Sequence, residues 1–160
     1  METLIVTLHV IAAVFLIGPL GAALNNAGGA LRRADPAALR AVARTIRIYG
    51  RSSLAVFVLG VGAVGPSDDI HFGDGWLVAS MVLFVLATGV VLGLLEPLLR
   101  RAVAAATAGT PTASFTARAA AIGGTASLLY VAITVLMVAQ PGACPVVRTT
   151  HLAGSGLDLR

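Results

Sequence analysis

Trp76–Leu95 reads WLVASMVLFVLATGVVLGLL, 20 residues without a charge. At about 1.5 Å per residue, a helix of that length covers about 30 Å, the thickness of the hydrocarbon in a bilayer. The rest of the chain has the same character. Of 160 residues, 58% are hydrophobic and 11% charged, and the mean hydropathy is +0.93. Soluble domains carry about 25% charged residues, so most of this chain cannot be facing water. The length allows one compact domain.

Outward from that stretch, four spans are predicted, at about 3–24, 46–65, 76–97 and 117–139. The first is apolar apart from His9 and two threonines. The second is short in uncharged residues, because Ser52–Val64 has only thirteen; it spans if it starts near Ile46, with Arg47 and Arg51 reaching back to the headgroups by their long stems. Glu96-Pro97 is expected to close the third, with Glu96 four residues before Arg100 at the interface. Gln140-Pro141-Gly142 stops the fourth, and 141–160 reads as an irregular tail. The expected fold is all-α, a polytopic four-transmembrane-helix bundle.

All 11 basic residues are arginine. Arg32, Arg33, Arg40, Arg44, Arg47 and Arg51 fall between spans one and two, and Arg100, Arg101 and Arg118 between spans three and four. Opposite them lie Glu2, Asp68, Asp69, Asp74 and the tail. Basic loops stay cytoplasmic, so the expected setting is a bacterial cytoplasmic membrane with both termini outside. A cleaved signal peptide is not expected, since Met-Glu is no basic leader. The net charge of +4 is therefore a topology signal, and nucleic acid is not an expected partner. Asp35-Pro36 reads as an N-cap with proline at N1. It opens a basic amphipathic helix over about 36–46 that runs into the second span, and its Arg40, Arg44, Arg47 and Arg51 suit lying against anionic lipid headgroups or a protein partner.

Gly89 and Gly93 form a small-xxx-small pair in span three, and Gly123, Ser127, Tyr130, Thr134 and Met137 make a small and polar stripe on span four. These predict helix packing, with Tyr130 turned inward to a partner. A membrane-protein partner or a homo-oligomer is the wider expectation.

His9 interrupts LIVTLHVIAAVFLIG (residues 4–18), with Ala12 and Ala13 on its face. An imidazole in hydrocarbon is costly and turns toward protein. Bonded to a backbone carbonyl or to Tyr130 or Thr134, it is structural; as a ligand, it would hold haem or a metal. His71, Cys144, Met81 and Met137 fall at the same end of the fold and complete the candidate donor set, whose soft atoms suit copper and whose imidazole suits haem iron. No HxxxH or CxxC pair is present, so no cofactor is the first expectation, with haem b or copper as the alternatives. Ser/His/Asp sets, phosphate loops, dinucleotide fingerprints and broken-helix transporter signatures are likewise absent from the sequence.

The opening TLHVIAAVFLIG (residues 7–18), four spans and the close LMVAQPG (residues 136–142) resemble a family of predicted bacterial integral membrane proteins of unknown function. That family is distantly similar to the copper-resistance D proteins and the membrane-bound protoporphyrinogen oxidase of haem synthesis. The resemblance implies that His9, a first-span histidine after a leucine, binds haem or metal. The chain departs from it in having Phe15-Leu16 where tryptophan is usual, and no second intramembrane histidine or lysine. The function read from the residues is a small non-enzymatic accessory or scaffold component of a membrane complex; the alternative is a haem- or metal-binding redox or transport protein built on His9.

Overall fold

The computed structural model describes residues 2–64 and 72–141, with only the backbone of residue 2, and among them the chain forms helices and turns without a strand. Helix α1 runs Glu2–Arg33 and α2 Pro36–Val64. Helix α3 (Gly75–Val90) continues through a π turn (Val91–Leu95) into α4 (Glu96–Thr107), and α5 runs Ala113–Ala139. The α3–α4 run is unbroken, so four helices are long and apolar enough to cross a membrane. Each packs on two neighbours, in the order α1, α2, third span, α5 around an up-and-down bundle.

Tight turns close the arginine-rich end. Ala34 takes a left-handed φ of 51°, its N–H bonds back to the Leu31 carbonyl at 3.2 Å, and Asp35 Oδ1 accepts the Ala37 N–H at 2.8 Å as the expected cap. Across the bundle, the Thr112 hydroxyl at the head of α5 donates to the Leu31 carbonyl at 3.0 Å, tying the two connections together.

The helices outrun the membrane. The 32 residues of α1 measure about 48 Å against a hydrocarbon thickness of about 30 Å. Along α1, burial follows that excess. Leu24, Ala27 and Leu31 of α1, Leu39 and Ile46 of α2, Leu99 and Ala102 of α4, and Ala119 of α5 form a sealed core toward the arginine end. Between residues 3 and 18, by contrast, α1 buries nothing fully, and Leu4, Val14 and Phe15 face outward. Water drives apolar burial where helices project beyond lipid, whereas inside hydrocarbon that drive is missing and helices hold by contact and hydrogen bonds.

Three expectations are corrected here. The basic segment 36–46 runs into the second span, as expected, but does not lie along the membrane surface. It is the first three turns of α2, standing in the bundle with Leu39, Ala43 and Ile46 buried. The first helix also does not stop at Leu24 but continues to Arg33. Nor does Glu96-Pro97 end the third helix, which continues to Thr107. Pro97 has no N–H, and its ring would crowd the carbonyl of Gly93 in a regular helix. The π turn absorbs the problem: the Glu96 N–H bonds to the Val91 carbonyl, five residues back. One extra residue shifts the phase by about 100°, and Glu96 sits buried beyond it. There its Oε1 accepts the Arg47 Nε–H at 2.9 Å, with Arg100 Nη1 at 3.9 Å, so the buried carboxylate is paired.

Candidate functional site

The half of the bundle away from the arginines is where the helices part. They border a half-open cavity of about 500 Å³ between α1, α2, α3 and α5, which runs from Val64, Trp76 and Gln140 at one end to Ile17, Phe57 and Phe84 at the other; Val10, Val14 and Val138 of its lining are exposed. Along α1 the lining runs from Val6 to Ile17, about 16 Å of depth at 1.5 Å per residue. Its walls are overwhelmingly apolar, and the few polar groups decide its chemistry.

Two of those are already satisfied within their own helices. Ser80 donates to the Trp76 carbonyl at 2.8 Å and Thr134 to the Tyr130 carbonyl at 3.0 Å. His9 differs. Its Nδ1 lies 3.0 Å from the Val56 carbonyl of α2. A carbonyl oxygen can only accept, so Nδ1 carries the proton, and in the neutral ring Nε2 keeps its lone pair. No described residue bonds Nε2, and it is not sealed off by neighbouring atoms. Gly60 makes the arrangement fit: a Cβ there would lie 2.9 Å from His9 Cε1 and 3.3 Å from Nδ1. The imidazole therefore rests against bare backbone, one turn beyond the carbonyl that holds it.

Beneath the cavity is a rigid aromatic floor. Phe57 and Phe84 stack with centroids 5.4 Å apart, and Phe84 meets Tyr130 edge-on at 6.1 Å. The Tyr130 hydroxyl lies 3.3 Å from Thr88 Oγ1, a buried hydrogen bond. Tyr130 thus faces inward, bonded to a residue the sequence did not single out.

Of the candidate donors, His9, Met81 and Met137 line this one cavity. His71 and Cys144 lie outside the described residues, among which no three His, Cys, Asp or Glu side chains converge. The packing glycines divide. Gly123 is a point of close approach, where a Cβ would meet the Leu24 carbonyl of α1 at 3.1 Å. Gly89 and Gly93 do not hold the bundle together: both face outward with open space around them, because the inward face of the third span belongs to Phe84, Ala87, Val91 and Leu95. Arg40, Arg44 and Arg47 line a cleft at the opposite end, which Arg51 does not reach.

Gly60 is expected from the sequence to serve helix packing in span two. Its contact with His9 and the role of Val56 were not read from the sequence, yet a signal existed. His9 lies 25 residues before Ala34 and Gly60 lies 25 after Asp35, so an antiparallel pair folded at that turn puts them at one depth.

Residues 3–141 match the family described as Predicted integral membrane protein (DUF2269), and the chain belongs to that family of integral membrane proteins, whose function is unknown. No curated protein and no solved structure matches the chain.

Proposed function

We propose that this DUF2269 protein is a non-enzymatic accessory protein of the bacterial cytoplasmic membrane that holds a ligand in the cavity beside His9. Nine arginines on one end favour a cytoplasmic position for that end, with the cavity toward the outer leaflet and both termini outside. The observation that carries the reading is the pinned imidazole. The bond from Nδ1 to Val56 fixes the tautomer and orients the ring, as second partners do for ligating histidines, and it leaves Nε2 as a polar anchor in a mainly apolar cavity. Among the described residues the cavity offers no nucleophile paired with a base, which favours binding over catalysis.

Haem b and copper are the cofactors that this anchor would admit. The donor atoms fit either: His9 Nε2 would hold the iron or copper, and the thioethers of Met81 and Met137 are soft donors on the same cavity wall. Such a group would supply one-electron chemistry, while His9 and Gly60 fix its position and the apolar walls exclude water. The test is a visible absorption spectrum and metal analysis of protein purified from its native membrane, with organic extracts of the same sample read by mass spectrometry. A Soret band, stoichiometric copper or one retained apolar compound, lost in His9→Ala, is the expected result. An empty cavity in wild type, or occupancy unchanged in His9→Ala, would refute the reading.

A second role, as a scaffold, is favoured by the outward position of Gly89 and Gly93 beside exposed Val85, Leu86 and Leu94. Small residues on a lipid face let a second helix approach closely. Crosslinking in membranes would then give a dimer or a partner adduct that Gly89→Leu/Gly93→Leu removes while the cavity stays intact.

A further inference from the structure

The arginines near the start of α2 have a use that topology does not require. Arg40, Arg44 and Arg47 of α2 and Arg100 of α4 surround a cleft of about 420 Å³, floored by Ala43 and bounded by Val103. Four arginines line that space, and their one carboxylate ion-pair partner among the described residues is Glu96, which already takes the Arg47 Nε–H at 2.9 Å and lies 3.9 Å from Arg100 Nη1. Arg40 is steadied by donating Nε–H to the Pro36 carbonyl at 3.1 Å. Those bonds consume Nε atoms, so the Nη groups of Arg40 and Arg47 stay available, and Arg44 has no protein partner among the described residues. Like charges gathered round a concave space repel one another unless an anion joins them. The cleft begins about one turn beyond Leu95, where the uncharged run of the third span ends, and so lies at headgroup depth.

We propose that this cleft is a phosphate-binding site. Guanidinium forks match phosphate oxygens bidentately, and several directed at one small volume select a phosphate over a diffuse negative surface. The phosphate would come from an anionic lipid headgroup or from a soluble phosphate ester. The site is independent of His9 and of the orientation in the membrane. It also explains why Arg100, from another helix, joins the set while Arg51 does not.

The test uses the full chain in zwitterionic detergent, with short-chain phosphatidylglycerol or inorganic phosphate as probe and chloride at equal ionic strength as control. Readouts are the melting temperature and retained adducts in native mass spectrometry. Wild type should melt higher and keep one adduct. Arg40→Gln/Arg44→Gln, which leaves the Arg47–Glu96 pair in place, should bind about tenfold or more weakly and melt like wild type without probe. Arg101→Gln/Arg118→Gln removes the same charge outside the cleft and should bind as wild type does. A response to phosphatidylglycerol alone assigns the lipid headgroup, and a response to both probes assigns phosphate itself. No response in wild type, or equal weakening in the two double variants, would overturn the site.

Discussion

Gly60→Ala tests the His9 arrangement most directly, because the two changes it makes have opposite signs. A methyl at position 60 would sit 2.9 Å from His9 Cε1, whereas carbons pack at about 3.5 Å or more. The imidazole must therefore retreat by about 0.6 Å, and a retreat directed along its bond to Val56 takes that bond from 3.0 Å to about 3.6 Å, past the limit for a hydrogen bond. Losing an interhelical bond in a membrane costs about 0.6–1 kcal/mol, and the residual crowding adds about 1 kcal/mol. Against this, alanine is favoured over glycine in a helix by about 1 kcal/mol. The substitution should therefore cost up to about 1 kcal/mol in wild type, yet stabilise by about 1 kcal/mol in the His9→Ala background. The coupling across the cycle is then about 1–2 kcal/mol. Trp76 is the sole tryptophan and lines the cavity, so its fluorescence during denaturation in mixed micelles reads the relevant half of the bundle. A coupling below about 0.5 kcal/mol would mean that Gly60 does not seat His9, and the tautomer argument would lose its geometric support.

Two further outcomes follow from the turns and the helix contacts. Ala34→Gly should raise stability by about 1 kcal/mol, because alanine carries a left-handed penalty at φ 51° that glycine does not; a lower melting temperature would show that the turn is not strained. Gly123→Leu should cost about 1–3 kcal/mol by driving α5 off the fixed Leu24 carbonyl, while Gly89→Leu and Gly93→Leu, with open space around them, should leave the melting temperature of the isolated protein unchanged or slightly raised. Equal losses at all three positions would place the packing face elsewhere.

Which parts were legible follows from what each signal measures. Hydropathy reports solvent, so the number of spans could be read directly, and the charge-free run at 76–95 needed no other argument. Helix ends could not be placed as well. The first span is expected to end near Leu24; Asn25, Asn26, Gly28 and Gly29 beyond it are poor company for lipid, but past the hydrocarbon the helix is held by core contacts of Ala27 and Leu31. Pro97 reads as a stop because a regular helix cannot take it, and a π turn is an answer that periodicity does not reveal. The spacing of Gly89 and Gly93 gave a face but not its direction. His9 could be assigned to protein rather than lipid from cost alone, whereas its partner depended on where two helices cross.

The unequal burial of the two halves bears on cooperativity. The sealed arginine-side core owes its stability to exclusion of water, so it should carry most of the heat capacity of unfolding and most of the dependence on urea. The cavity half gains little from that source and depends on the amphiphile that surrounds it. Helix content is spread over both halves, but the fluorescence of Trp76 belongs to one. A change of detergent can thus move the fluorescence transition while the circular dichroism transition stays in place. Coincidence of the two curves is then a property of the chosen micelle, and a single unfolding free energy describes this bundle only where they coincide.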